Sequence, residues 1–144
     1  MNNPIRVRPA TQDDCRVIWL WRNDPLTRAM SRMPDAVPWE THRAWFTKVL
    51  ADPARTILVG EVAGDSVGMV RLDRGNETEV SIEIAPSQRG RGLGRALLEA
   101  ALEGVAGRLV ADVKTENTAS RLLFERAGFV PDAPKSGLIR YRRG

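Results

Sequence analysis

The chain is poor in the residues that would make several chemistries available. It has one cysteine, Cys15, so no disulfide can form within it. It has one histidine, His42, so a zinc site built from Cys and His ligands is excluded by arithmetic. No apolar run is long enough to span a bilayer, and no early stretch has the pattern of a secretion signal. A soluble, cytoplasmic protein with no membrane partner is the expectation. No repeat, low-complexity tract or linker divides the sequence, so 1–144 reads as one domain.

What is present suits a globular fold: 42% hydrophobic and 28% charged residues over 144 positions, enough to bury a core without disulfides or metal. Lys and Arg number 22 against 18 Asp and Glu, a net charge of +4. The pI of about 10.0 points weakly to anionic partners. The excess gathers at Arg89, Arg91 and Arg95, and again at Arg140, Arg142 and Arg143, where it reads as a charged edge strand. A nucleic-acid module would show a basic aromatic patch or a known reading motif, and neither is present.

Periodicity lays out a mixed α/β sheet of about six to seven strands with four helices. Ile5–Pro9 alternates as a strand. Thr11 with Asp13 and Asp14 starts a helix whose inward face is Val17, Leu20 and Trp21. Asn23-Asp24-Pro25 ends it, and a loop with a short helical piece follows to Pro38. Trp39–Leu50 is a second helix with His42, Trp45, Phe46, Val49 and Leu50 on one face. Thr56–Val62, Val67–Leu72 and Glu79–Ile84 form an antiparallel meander. A third helix is expected over 92–106, a strand at Leu109–Val113, and a fourth helix at Asn117–Ala127 stopped by Gly128. Phe129-Val130 and Leu138–Tyr141 are two last strands.

The informative stretch is Ile84-Ala85-Pro86-Ser87-Gln88-Arg89-Gly90-Arg91-Gly92-Leu93-Gly94-Arg95. A strand, a glycine turn and a helix make an anion site. The first helical N–H groups lack partners inside the helix, they sit at the positive end of its dipole, and glycines admit close approach of a phosphate. The spacing is not that of a P-loop, and the third glycine of a dinucleotide fingerprint is replaced by Arg95.

Arg89-Gly90-Arg91-Gly92-Leu93-Gly94 matches R/Q-x-x-G-x-G/A. Downstream, Asn117-Thr118-Ala119-Ser120-Arg121-Leu122-Leu123-Phe124-Glu125-Arg126-Ala127-Gly128-Phe129 matches N-x-x-[AS]-x-x-L-[YF]-x-x-x-G-F. Together, in this order of elements, they resemble the GNAT superfamily of N-acetyltransferases over nearly the whole chain. The resemblance implies a single-domain GNAT fold whose strands Glu79–Ile84 and Leu109–Val113 are parallel and splay apart around acetyl-CoA, used as a co-substrate with no metal. It implies that Ile84 and Ala85 meet the pantetheine and thioester through their backbone, and that Arg89, Gly90, Arg91, Gly92, Leu93, Gly94 and Arg95 hold the pyrophosphate. It also implies that Asn117 touches the cofactor, a role that competes with a plain helix cap, and that Ser120 and Phe124 line the thiol end. It is compatible with a homodimer.

Attack on a thioester needs a neutral amine, and an alkyl ammonium has a pKa of about 10, so a base is required. Glu79, Ser81 and Glu83 share one face of a strand beside the cofactor. The resemblance implies a glutamate base near the position of Glu79, which makes Glu79 the first choice and Glu83 the second, against the alternative that both are merely solvated or paired. Many relatives place a tyrosine, able to protonate the leaving thiolate, where this chain has Phe124. Cys15 reads as a small buried hydrophobe and not as an acetyl carrier, so direct transfer is expected.

The acceptor side should come from the first two helices. Trp21, Arg22, Asn23 and His42 are the candidate contacts, with core packing the competing role for Trp21 and a satisfied buried ring for His42. Trp21-Arg22-Asn23-Asp24-Pro25, Arg28, His42 and Trp45-Phe46 resemble the branch that acetylates nucleotide-linked 4-amino sugars, as in pseudaminic acid synthesis. The N-terminal acetyltransferases of ribosomal proteins share part of the pattern. A non-catalytic acyl-CoA binder and a nucleic-acid-binding module are the alternatives from other classes.

Overall fold

The computed structural model describes residues 4–144. Its elements are β1 (Arg6–Pro9), α1 (Cys15–Arg22), α2 (Pro25–Met30), α3 (Trp39–Ala51), β2 (Arg55–Val62), β3 (Asp65–Asp73), β4 (Thr78–Ile84), α4 (Leu93–Leu102), β5 (Leu109–Lys114), α5 (Thr118–Arg126), β6 (Val130–Pro131) and β7 (Leu138–Arg143). They build one seven-stranded sheet in the order β1-β2-β3-β4-β5-β7-β6. Strands β2 to β4 form the antiparallel meander that short polar turns dictate, and β1, separated from them in sequence by three helices, pairs antiparallel on the outer edge of β2. Strand β5 lies parallel to β4, and β7 returns antiparallel to it over six residue pairs. The α/β architecture of the sequence reading stands, with five α-helices in place of four because the piece after Asp24-Pro25 is a helix in its own right.

Alternation along the strands divides the core in two. Val70, Leu72, Val80 and Ala111 point to one face and pack with Leu97, Leu98, Phe124 and Tyr141 of α4, α5 and β7. Ile57, Val59 and Met69 point to the other and pack with Cys15, Ile18, Trp21, Phe46 and Val49 of α1 and α3. Helix α4 comes close to the sheet because Gly60 and Gly68, paired across β2 and β3, leave a recess for Leu97. A Cβ at Gly60 would stand 2.6 Å from Leu97 Cδ1, and one at Gly68 2.6 Å from the carbonyl oxygen of Glu83.

Two local expectations change. Leu20 is 55% exposed, and Cys15, Ile18 and Trp21 form the inward stripe of α1 instead. A 3-10 turn at Gln12–Asp14 sets the phase of the helix. It is pinned by Asp14, whose carboxylate accepts from the Thr11 N–H at 2.8 Å and takes both ends of the Arg8 guanidinium at 2.8 Å. Helix α4 stops at Leu102, not at 106, because Gly104 adopts φ +76° and turns the chain.

Candidate active site

Pairing between β4 and β5 joins Thr78 to Leu109 and Glu79 to Val110, and no further pair joins them among the described residues. Beyond Glu79 the strands part. The Ala85 N–H donates to Val67 O at 2.8 Å on β3, and the Thr78 N–H donates to Arg108 O at 2.8 Å on the other side. Backbone groups of alternate residues face alternate edges of a strand, so Ile82 and Ile84 present theirs to the gap. The structure thus keeps Ile84 at the opening and withdraws Ala85, whose amide is committed to the meander.

The gap leads directly onto the glycine turn. Gly90 and Gly92 adopt φ +76° and +73°, where a side chain would be strained, and a Cβ on either would meet open space. Gly92 is the N-cap of α4, and no side chain caps it among the described residues. The amides of Leu93, Gly94 and Arg95 therefore open the helix unpaired, at its positive end, on a bare surface. That arrangement fits a diphosphate. Gly94 lies against Leu123 and Ile84, which ties the turn to both α5 and the gap.

The arginines of the turn are already engaged. Arg91 donates to Gln88 and Arg95 pairs with Glu99. Arg89 reaches Asp24 and Thr27 of the acceptor side. Asp24 caps α2 by accepting from the Leu26 and Thr27 amides, both at 3.1 Å, and its hydrogen bond to Arg89 holds its carboxyl below the usual carboxylate range. Asn117 caps α5, its Oδ1 accepting from the Ser120 N–H at 3.2 Å. Phe124 does not face the gap: it is 3% exposed, edge-on to Phe129 and stacked on Tyr141. The hydroxyl of Tyr141 donates to Glu125 Oε2 at 2.6 Å.

On the α1–α3 face, Glu79 and Glu83 have different surroundings. Glu79 is paired with Arg32 at 3.3 Å from the loop after α2, and the same guanidinium lies 3.7 Å from Asp112 on β5. Asp112 is held by Arg140 through two bonds of 2.9 Å, which with Arg32 keep its carboxyl low. Glu83 is half-buried, and its Oε2 is shielded from solvent with no hydrogen-bond partner among the described residues. Burial pushes its carboxyl up, and the nearby guanidiniums of Arg22 and Arg71 oppose the rise. Of the two carboxylates, Glu79 is ion-paired and Glu83 keeps a shielded oxygen without a partner among the described residues.

Three of the four candidate acceptor contacts are built into the fold. Trp21 is 6% exposed in the core. His42 is fully buried, with Nε2 2.9 Å from Cys15 O and its ring stacked on Trp39 and Phe46. Asn23 clips the loop before α3, accepting from the Val37 N–H at 2.8 Å and donating to Val37 O at 2.9 Å. Arg22 makes none of these contacts; its guanidinium lies 5.2 Å from the Trp45 ring centroid. Arg71 and Asp112 were missed in the sequence. Their signal is a charge inside an apolar strand, Val70-Arg71-Leu72 and Ala111-Asp112-Val113, on the face that Glu83 shares.

An α/β sheet opened between two parallel strands, with a glycine-lined helix N-terminus at the mouth and a shielded carboxylate beside it, defines an acyl-CoA-type transferase architecture. The chain belongs to the GNAT acetyltransferase family, whose profile matches residues 11–129. It is 33% identical over 99 residues to the N-alpha-acetyltransferase RimI of Mycobacterium tuberculosis (strain ATCC 25618 / H37Rv), a match covering 64% of this chain and 61% of that relative. The chain thus aligns with about three fifths of that relative's length. Among solved structures, a domain from Methanocaldococcus jannaschii DSM 2661 superposes with a TM-score of 0.84 at 21% identity over 99% of both chains. A spermidine N-acetyltransferase from Vibrio cholerae, solved with CoA and spermine, gives 0.83 at 22% identity over 96% of this chain and 92% of that one. These likenesses establish the fold. Among the described residues, no helix is long and apolar enough to cross a membrane.

Proposed function

We propose that this chain is an acetyl-CoA-dependent N-acetyltransferase that moves the acetyl group directly to a primary amine. The observation that carries the reading is the unpaired β4–β5 gap running onto the uncapped start of α4. Leu93, Gly94 and Arg95 would hold the diphosphate with their amides, and Ile82 and Ile84 would pair with the pantetheine arm through gap-facing backbone groups. Asn117, which caps α5, and Ser120 in its first turn would contact the cofactor from the α5 side. When bound, acetyl-CoA supplies a thioester whose carbonyl is open to attack. The Ile84 N–H is the donor suited to the charge that develops on that carbonyl oxygen. Glu83 would take a proton from the bound substrate ammonium, leaving the neutral amine to attack the thioester carbonyl and expel the CoA thiolate, and its raised carboxyl suits that role. Cys15 is buried and its thiol is pushed up by burial, which argues against a covalent acetyl-cysteine.

For the acceptor, the observation that weighs most is the seat of Arg32. A guanidinium held loosely between Glu79 and Asp112, with its side chain 53% exposed, marks a place that favours a cation. Together with the similarity to an N-alpha-acetyltransferase, this favours the amino terminus of a peptide. A nucleotide-linked 4-amino sugar is the second reading, supported by Arg28 and Arg32 on the loop side and weakened by the structural engagement of Trp21, Asn23 and His42. Calorimetric titration with acetyl-CoA tests the first statement. No heat and no thermal stabilisation would remove it. Thiol release with ribosomal N-terminal peptides, UDP-linked 4-amino sugars and polyamines tests the second. Turnover of the sugars alone would reverse the order of the two acceptors.

A further inference from the structure

Residues 24–36 leave the α1–α3 side of the molecule and return to it at almost the same point. Asn23 and Val37 close the base: Asn23 accepts from the Val37 N–H at 2.8 Å and donates to the Val37 carbonyl at 2.9 Å. The Trp19 indole N–H donates to the same carbonyl at 2.7 Å. A loop of this length with joined ends is of the Ω type. Its helix, α2, has no buried residue, and Leu26 and Met33 are exposed. Apolar packing therefore does little to fix it. Polar ties to both walls of the β4–β5 gap fix it instead. Beyond the open end of β4, Arg89 donates to Asp24 and, at 2.8 Å, to the Thr27 hydroxyl. At the open end of β5, Lys114 donates to the Ala29 carbonyl at 3.1 Å, at the end of α2 that favours a cation. At the closed end, Arg32 reaches Glu79 of β4 and Asp112 of β5. Six residues of helix span about 9 Å, nearly twice the spacing of paired strands. That length suits a bridge between two strands that have parted.

We infer that Arg89 and Lys114 are positioning residues that hold residues 24–36 as a flap over the gap, and that a cofactor diphosphate seated on the glycine turn tightens the hold. The inference rests on the proposed function, because the diphosphate it invokes is that of CoA. Glu79, Asp112 and Lys114 lie on the sheet face that also carries Glu83. The flap thus covers the side of the gap from which an amine would reach the thioester. Arg89 opens the turn that continues through Gly90 and Gly92, two glycines at positive φ with open space around them. Without a diphosphate such a turn gets little support from its neighbours, and Arg89 must be ordered each time it grips Asp24. A diphosphate on the amides of Leu93, Gly94 and Arg95 orders the turn first, so the grip then costs less. Asp24 accepts from the Leu26 and Thr27 amides whether or not Arg89 is in place, so α2 keeps its cap and only its attachment changes. By linkage, a held flap strengthens cofactor binding by the same factor.

Hydrogen exchange of the full chain, read by mass spectrometry with and without CoA, tests this. In the wild type, saturating CoA is expected to slow the amides of 89–95 and, by about fivefold or more, those of 26–31. Arg89→Met, which keeps the stem and removes the donors, should retain the slowing of the turn and lose that of the flap. Arg89→Lys, which keeps a donor, should restore it. Thr27→Val removes one of the two acceptors, leaves the cap of α2 in place, and should lose part of it. Lys114→Met should speed exchange in 26–31 with and without CoA, and unchanged exchange there would remove Lys114 from the hold. CoA that slows the turn and leaves 26–31 unmoved in the wild type would overturn the inference. So would a flap slowed by CoA as much in Arg89→Met as in the wild type or, should that variant fail to fold, as much in Thr27→Val. CoA that binds by calorimetry without slowing the flap leaves the proposed function standing and removes only the flap. CoA that gives no heat and slows neither segment removes both.

Discussion

The two glycines beneath α4 allow a stability prediction in which the sign of the effect depends on one atom. Gly60 and Gly68 both have backbone angles open to alanine, and such a change gains about 0.4–1 kcal/mol by restricting the unfolded chain. Against this stands the clash of the new methyl group. At Gly60 the nearest atom is Leu97 Cδ1 at 2.6 Å, the end of a flexible side chain, followed by Ile5 Cδ1 at 3.3 Å. A rotation of Leu97 relieves most of it, so Gly60→Ala should lie within about 1 kcal/mol of the wild type. At Gly68 the nearest atom is the backbone oxygen of Glu83 at 2.6 Å, and it is fixed by the β3–β4 ladder. That oxygen can move only if the strands separate, and overpacking of this kind costs about 1–3 kcal/mol. For a chain of this size, 1 kcal/mol corresponds to roughly 3 °C. With the 0.4–1 kcal/mol gain set against that cost, Gly68→Ala should melt below wild type by up to about 8 °C, and it should lose turnover beyond the stability effect, because the displaced residue is Glu83. Differential scanning calorimetry of both variants decides the matter. A Gly68→Ala protein as stable as Gly60→Ala, or more so, would refute the reasoning.

Three further outcomes follow from the charged groups. Glu83→Gln should lose turnover yet melt higher at neutral pH. The native carboxyl titrates above its unfolded value, so the ionised native form is penalised and the gap to the glutamine variant widens as pH rises through that window; a lower melting temperature at pH 7.5 would count against it. His42 is depressed by burial and its Nδ1 has no partner among the described residues, so the unfolded ring binds a proton more readily than the native one. Stability should fall as pH drops below the unfolded value of about 6.5, and a folded His42→Gln variant should show a flatter melting profile between pH 7 and 5. Asp24→Ala removes the cap of α2 and the partner of Arg89, and should cost about 1 kcal/mol by urea unfolding while raising the KM for acetyl-CoA, since the turn loses its tie to α2; an unchanged KM would detach α2 from the cofactor turn.

The parts of this molecule that were legible in the sequence are those set by neighbours in the chain. The glycine turn, the Asn117 cap and the β2–β3–β4 meander depend on local dihedrals, capping and alternation, and each lies where those rules place it. On α1 the apolar spacing placed Trp21 and the partly buried Val17 inward correctly but assigned Leu20 there too, whereas Cys15 and Ile18 complete the inward stripe; the 3-10 turn fixed by the Arg8–Asp14 pair, which sets where the helix begins, is not visible in that spacing. The distinction between Glu79 and Glu83 could not be read either. The two share a strand face, and what separates them comes from elsewhere: Arg32 from the loop after α2 for one, Arg22 of α1 and Arg71 of the adjacent strand for the other. Phe124 matched a motif position, yet its ring direction is decided by packing on Phe129 and Tyr141 from the end of the chain.

The parting of β4 from β5 divides the sheet into a four-stranded and a three-stranded leaf, stitched at one end by two residue pairs. Each leaf therefore ends on an inward rim of unsatisfied peptide groups, the kind of rim that proteins normally keep at their outer borders. An extended guest lying in the seam would act as an eighth strand and repair both leaves at once. Because the unfolded chain has no such seam, heat resistance should follow the free guest concentration, rising by about 2.7 kcal/mol at a hundredfold excess over its dissociation constant.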